Sequence, residues 1–201
     1  MLTTIFTLTT VIVSILAFNK PEYIYKLMFS PYKVAIKKEW YRFFTFQFVH
    51  GDYMHLFFNI FVLWGFGKHL EFNLNNTSII APSTAFLIIY LGGHIAGVLP
   101  QYLKYRNDPA HTSIGASAGV SAILFACILF DPLMTLNIYF IFPIPAFLFG
   151  ILYLGYSYYM KNRGMDNINH EAHIYGALFG MITSCIFCFP YFREKLTFLL
   201  N

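Results

Sequence analysis

Charge is what this chain has least of. Of its 201 residues only 11% are Asp, Glu, Lys or Arg, while 58% are hydrophobic and 20% aromatic. A soluble domain carries roughly a quarter charged residues because its surface must face water. Most of this surface therefore faces something apolar, and the chain reads as a membrane protein. Cysteine is scarce too. Cys127, Cys185 and Cys188 all fall inside apolar runs, which argues against a disulfide framework and for buried thiols acting as small hydrophobes. The net charge of +4 is spread along the chain without a basic cluster, so no nucleic-acid partner is expected. The apolar run starting at Leu2 has no Lys or Arg before it and no small-residue cleavage pattern after it, so a removable signal peptide is not expected. Without a repeat, a low-complexity tract or a linker, residues 1–201 read as one domain.

What is present is a series of apolar runs. Residues 2–18, 54–72, 80–100, 115–130, 133–159 and 171–189 are each expected to be a transmembrane helix. The fold expected is an all-α, polytopic bundle of six. Pro143 and Pro145 interrupt the fifth span, so that helix is expected to be bent or mobile. Residues 19–53 mix six cations, from Lys20 to Arg42, with Pro and many aromatics, and read as an ordered loop half-sunk in the headgroup region. Residues 101–112 and 161–169 read as polar loops, and Pro190 to Asn201 as a short tail.

Carboxylates are nearly absent from the spans, and this decides among hydrolytic chemistries. A helical His-Glu-x-x-His metal site does not occur, and His170-Glu171-Ala-His173 has the wrong spacing, so no metal or other cofactor is expected. Asp52, Asp108, Asp131 and Asp166 lie outside or at the rim of the spans, which argues against a pair of buried catalytic carboxylates. Ser, His and Asn remain, and a polar residue inside a membrane is a functional candidate by default.

Ser117 sits among small residues, Gly115-Ala-Ser-Ala-Gly119, at the start of the fourth span. It has two readings: a helix-packing serine, or a nucleophile at a turn into a helix where backbone N–H groups can bind an oxyanion. His173 begins the sixth span and is followed by Gly176 and Gly180. Alternate spans run in the same direction, so Ser117 and His173 sit on one side of the bilayer at similar depth. The glycine face can press on Ala118, Ala122 and Ala126 and bring hydroxyl and imidazole together as nucleophile and general base. The plainer reading of His173 is an interfacial histidine at a helix end. His50, His55 and Asn59 precede or begin the second span, on the same side. The side chains of His50 and Asn59, with the N–H of Ser117, are candidate oxyanion donors. Asn59 as an interhelical hydrogen bond, and His50 and His55 as solvated interfacial groups, are the alternatives. His94, His111 and His170 read as structural or surface residues.

Arg42-Phe-Phe-Thr45, His50 with His55 and Asn59, Glu71, Gly115-Ala-Ser117, and Ala172-His173-Ile-Tyr-Gly176 with Gly180 together resemble the rhomboid intramembrane serine proteases. The resemblance runs from the first loop to the sixth helix. It implies a serine endopeptidase with a Ser/His dyad in a water-filled cavity, cleaving transmembrane protein substrates near the membrane surface. Ser117 would be the nucleophile, His173 the base, and His50, Asn59 and the Ser117 N–H the oxyanion donors. His55 would support the second helix, Arg42 and Glu71 would brace the first loop, and the fifth helix with the loop after it would form the gate. Two positions depart from the family pattern. Ala118 stands where glycine usually follows the nucleophile, and Ser121 where a bulky residue usually packs on the histidine. That packing would then fall to Tyr175 or to an aromatic of the fifth span. An inactive relative that binds transmembrane clients is the alternative.

A compact chain of this kind suits a bacterial plasma membrane, and the resemblance implies a cytoplasmic N-terminus. That side would then carry Lys68, Arg193 and Lys195, with the other ten of thirteen Lys and Arg opposite. The positive-inside rule prefers the reverse.

Overall fold

The computed structural model describes residues 1–138, 141–163 and 168–200. Its polarity is inverted relative to a water-soluble bundle. Helix α1 (Leu2–Asn19) turns Thr3, Thr7, Thr10, Ser14 and Ala17 inwards and leaves Ile5, Leu8, Ile12 and Leu16 exposed. Phe57, Phe61 and Trp64 of α5 (Tyr53–Thr77) are likewise outward, as are Ile182 and Ile186 of α9 (His170–Phe187). Large apolar side chains outside and hydroxyls inside are what lipid favours and water penalises.

The centre of the bundle is α7 (Ser117–Phe130), whose side chains from Ala118 to Ile128 are all buried. It packs against α5, α6 (Pro82–Tyr105) and α9. The approach of α9 is set by two glycines. A Cβ on Gly176 would strike the carbonyl oxygen of Ala118, and one on Gly180 that of Ala122. Beside them Gly97 and Gly93 of α6 lie against the methyls of Ala118 and Ala122, and Gly97 also meets Ala172 of α9. The alanines thus meet glycines from two helices, of which the contact with α9 was expected from the spacing of small residues.

Three parts differ from the expected spans. Residues 133–145 are not helical. They hold the antiparallel strands β1 (Thr135–Ile138) and β2 (Phe142–Pro145), paired from Thr135 with Pro145 to Ile138 with Phe142. The cause is proline, which disfavours the helical region for the residue before it and so holds Phe142 and Ile144 extended. Pro143 and Pro145 are two apart and face the same way, so a two-stranded ladder can leave both without a donor. Helix α8 (Ala146–Arg163) starts only after the second proline. The tail is also helical: α10 (Phe189–Leu200) leaves α9 at a bend of 85°. Finally, α5 and α6 continue past residues 72 and 100, and α7 begins at Ser117 instead of Gly115.

The first loop is ordered, as its aromatics and prolines suggested. It comprises α2 (Glu22–Leu27), α3 (Pro31–Lys37), α4 (Arg42–Thr45) and a 3-10 turn at Phe46–Phe48. The buried Arg42 guanidinium holds it, donating to Glu39 at 2.6 Å and to the carbonyls of Met28 at 2.6 Å and Tyr25 at 3.2 Å. Glu71 does not take part. It lies near the far end of α5 and accepts from the backbone nitrogens of Met1 (2.6 Å) and Thr3 (3.2 Å), so it braces the start of α1.

Length and apolarity qualify α1 and α6 to cross a bilayer, and α9 with α10 if that bent pair counts as one span. Helix α7 is apolar but has only 14 residues.

Because Gly180 touches backbone, Gly180→Ala is expected to destabilise the protein by about 1–3 kcal/mol or more, read as a lower Tm in detergent. Gly155 of α8 has open space at its Cβ position. Gly155→Ala is expected to leave the Tm unchanged or to raise it slightly. Equal effects of the two substitutions would remove the close-contact argument.

Candidate active site

The site is built on the four residues before α7. Ser113 exchanges two backbone hydrogen bonds with Phe29 (2.9 and 3.0 Å), and the Gly115 N–H donates to the Phe46 carbonyl at 3.0 Å. Gly115 has φ of 104°, in the region that favours glycine, and a Cβ there would fall on the His55 ring. The chain thus turns sharply into α7, and Ser117 is that helix's first residue. No side chain caps this start, so the first backbone N–H groups point outward with the positive end of the helix dipole.

Ser117, His173, His55, Asn59, Ser121 and Tyr153 line one cavity of about 1320 Å³, with Asp52, Lys104, Lys161 and Glu171 also in its wall. Ser117 and His173 each occupy the first turn of a helix. Gly176, three residues after His173, lies on Ala118, the residue after Ser117, so the two backbones touch beside the two side chains.

His50 is not among the cavity residues. It is fully buried, and its bonds form a directed chain. The Ala116 N–H donates to Nε2 at 3.3 Å, which leaves the ring proton on Nδ1 facing Ser14 Oγ at 2.9 Å, and Ser14 donates to the Phe48 carbonyl at 2.8 Å. A nitrogen accepting from Ala116 cannot also donate to an oxyanion, so the expected role of His50 is corrected. It braces the loop before Ser117 against α1. His55, half-buried, lines the cavity instead, its ring edge-on to His50 at 4.8 Å and packed on Gly115. Asn59 is buried beside the cavity, with its amide donating to the His55 carbonyl at 2.9 Å.

Two features were not assigned from sequence. Tyr153 of α8 lies nearly parallel to the His173 ring (6.1 Å, 21°), and its hydroxyl bonds Ser121 Oγ at 2.8 Å. This is an aromatic of the fifth apolar run, one of the two sources expected for the ring against His173; Ser121 serves as its anchor. Gln101 is the second. Its buried Oε1 accepts from Ser113 Oγ at 2.8 Å and lies 3.1 Å from His111 Nε2. Ser113 in turn accepts from Asn169, whose own oxygen caps α9 through the Ala172 N–H. A polar strut therefore joins the loop before Ser117 to the start of the helix carrying His173. His111 belongs to this strut, so it is structural; burial lowers its pKa, with Asp108 opposing. Polar networks of this kind have no distinctive spacing in a sequence. The Asn169 cap was readable in principle, one residue before α9.

Burial, and then the positive charges on His55 and His94, push the His50 pKa from 6.5 down to about 3. The folded value lies below the unfolded one, so the neutral ring's contribution is complete above about pH 6.5 and is lost as the pH falls towards 3. Acidification from about pH 7 to about pH 5 is expected to cost up to ~1.4 kcal/mol per pH unit from this group. The Tm of His50→Gln should therefore fall less steeply over that range than the wild type's. Parallel curves would remove His50 as the source.

The Rhomboid domain family model matches residues 37–190. RHOMBOID-like protein 12, mitochondrial, of Arabidopsis thaliana is 31% identical over 141 residues, 66% of this chain and 42% of that protein. Rhomboid-like protein 11, chloroplastic, of the same plant is 27% identical over 157 residues, 71% of this chain and 51% of that protein. The chain thus spans about half the length or less of these curated relatives. Both carry organelle names, which gives the expected bacterial plasma membrane no support; what stands is a membrane protein. With the family match running from the later half of the first loop past the end of α9, the chain belongs to the rhomboid family.

Proposed function

We propose that this protein is an intramembrane serine endopeptidase with Ser117 as nucleophile and His173 as general base. The observation that carries the reading is the contact of α7 and α9 at Ala118 and Gly176, beside two side chains that share one cavity. Ser117 would attack the scissile carbonyl while His173 takes its proton and returns it to the leaving amine. The uncapped N–H groups of α7, with His55 and Asn59, would donate to the tetrahedral oxygen. His55 replaces His50 in that role because His55 lines the cavity and the Nε2 of His50 is occupied. Water would then release the acyl group.

In this reading α1 and α5 to α9 are six membrane crossings, with the cavity opening on the side of the first loop. Substrates would be transmembrane segments entering from lipid between α5 and α8. The cavity wall there is Phe58 and Val62 on one side and Phe149 and Tyr153 on the other, with Val120 and Leu124 of α7 behind. The gate would be α8 and the loop after it, of which residues 164–167 lie outside the described part.

A fluorophosphonate probe is expected to label the wild type but not Ser117→Ala, and His173→Ala should label slower by about 10²–10⁴-fold. Loss of one oxyanion donor is expected to cost about 10²-fold or more in cleavage of a single-span substrate for His55→Ala, and less for Asn59→Ala. His50→Gln should lower the Tm more than the rate. Labelling that survives Ser117→Ala would end the assignment. No labelling of a folded wild type would favour an inactive client-binding relative.

Tyr153 supports the base by stacking and is anchored by Ser121. Tyr153→Phe keeps the ring and is expected to lower kcat several-fold at most, a loss that Ser121→Ala should not add to. Tyr153→Ala should lose more than tenfold. Additive losses from Tyr153→Phe and Ser121→Ala would refute the anchor.

A further inference from the structure

The first loop carries more positive charge than its own carboxylates pair. Arg42 is consumed by Glu39, whose carboxyl it pulls below its usual pKa range, so that pair is closed. Between residues 20 and 48 this leaves Lys20, Lys26, Lys33, Lys37 and Lys38 with Glu22 as the one other carboxylate. Among the described residues none of the five lysines forms an ion pair. The loop's internal order comes from other groups: the Arg42 donors to Tyr25 and Met28, Thr45 Oγ1 to the Leu27 carbonyl at 2.8 Å, and the buried Phe29 and Val34.

Apolar side chains stand among these lysines and face outward. Ile36 is 60% exposed, Trp40 50% and Phe44 48%. Trp40 lies parallel to Phe43 and against Tyr102. Lysines interleaved with exposed aromatic and aliphatic side chains match the headgroup layer, where the rings enter the acyl boundary and the ammonium groups stay with the phosphates. Lys38 makes the point sharper. It adopts φ of 59°, a conformation in which Gly or Asn is more stable, and bonds the Ala35 carbonyl at 2.8 Å. A cation thus stands where glycine would suit the backbone better.

We infer that the first loop is a binding platform for anionic phospholipid headgroups in the leaflet on the cavity side. The occupant is lipid and not a soluble anion because Ile36, Trp40 and Phe44 need hydrocarbon beside the phosphate layer. With the six crossings proposed above, the wider charge distribution agrees: ten of the thirteen Lys and Arg would fall on the cavity side and three on the other. The platform would fix the depth and tilt of the loop that also holds Ser113 and Gly115 through Phe29 and Phe46. The inference needs only a membrane-embedded chain and is independent of proteolysis.

The test uses Trp40 as an energy donor in the full chain with Trp64→Phe, since the sequence has two tryptophans. The protein is reconstituted in phosphatidylcholine vesicles with trace dansyl-phosphatidylglycerol or trace dansyl-phosphatidylcholine. Each surface lysine enriches an anionic lipid about fivefold at low salt. Transfer to the phosphatidylglycerol probe should therefore exceed transfer to the other several-fold, and the excess should fall as salt is raised. Lys33→Gln/Lys37→Gln/Lys38→Gly should abolish the excess. Lys38→Gly alone should lower it while keeping or raising the Tm, which separates lost charge from lost folding. Equal transfer to both probes, or an excess that survives the triple substitution, would overturn the platform. Loss of the excess to inorganic phosphate at constant ionic strength would assign a soluble-anion site and overturn the lipid assignment.

Discussion

The contact of α9 on α7 is made between backbones. Gly176 and Gly180 have no side chain to hold the carbonyls of Ala118 and Ala122 away, and in lipid such close packing replaces the hydrophobic force that drives soluble helices together. The separation of these helices is set at Gly176, next to Ser117 and His173. A methyl group added there would move Ser117 and His173 apart as well as weaken the bundle. The packing and the proposed chemistry share one contact, and the alanines that admit α9 also admit Gly93 and Gly97 of α6.

Around that contact the polar groups are used in layers. The Ser14–His50–Ala116 chain holds the loop before Ser117 from the side of α1. The Gln101–Ser113–Asn169 strut ties the same loop to the start of α9. Tyr153, anchored on Ser121, supports His173 from α8. Each braces a different side of Ser117 and His173, and only the last comes from the helix that would move when a substrate enters. The proposed gate and the proposed base are therefore mechanically linked.

The first loop belongs to both the site and the membrane. Its inner face supplies Phe29 and Phe46, whose backbones hold Ser113 and Gly115, and its outer face carries Trp40 and the lysines that form no ion pair among the described residues. A leaflet that attracts those lysines would bear on the loop that shapes the turn into α7. The proposed lipid contacts and the proposed catalytic geometry thus depend on one folded segment.

Composition alone determined that this chain faces lipid, because 11% charge cannot cover a water-exposed surface. Spacing alone determined that Ala118 and Ala122 would meet Gly176 and Gly180, because helical periodicity places small residues on one face. Four of the six expected helices came through with changes at their ends, the sixth gained a bent continuation, and the fifth failed over residues 133–145. Its apolar composition suited either structure, while Pro143 and Pro145 held the chain extended. The roles of His50 and His55 were beyond the sequence. Both are histidines at the mouth of one helix, and only the directions of their ring nitrogens separate them. Tyr153 and Gln101 were hidden for the same reason: which aromatic of α8 faces His173, and which amide of α6 reaches Ser113, depends on how the helices are rotated about their axes. A sequence sets which faces are small, apolar or charged; packing sets the rotation that brings particular atoms together.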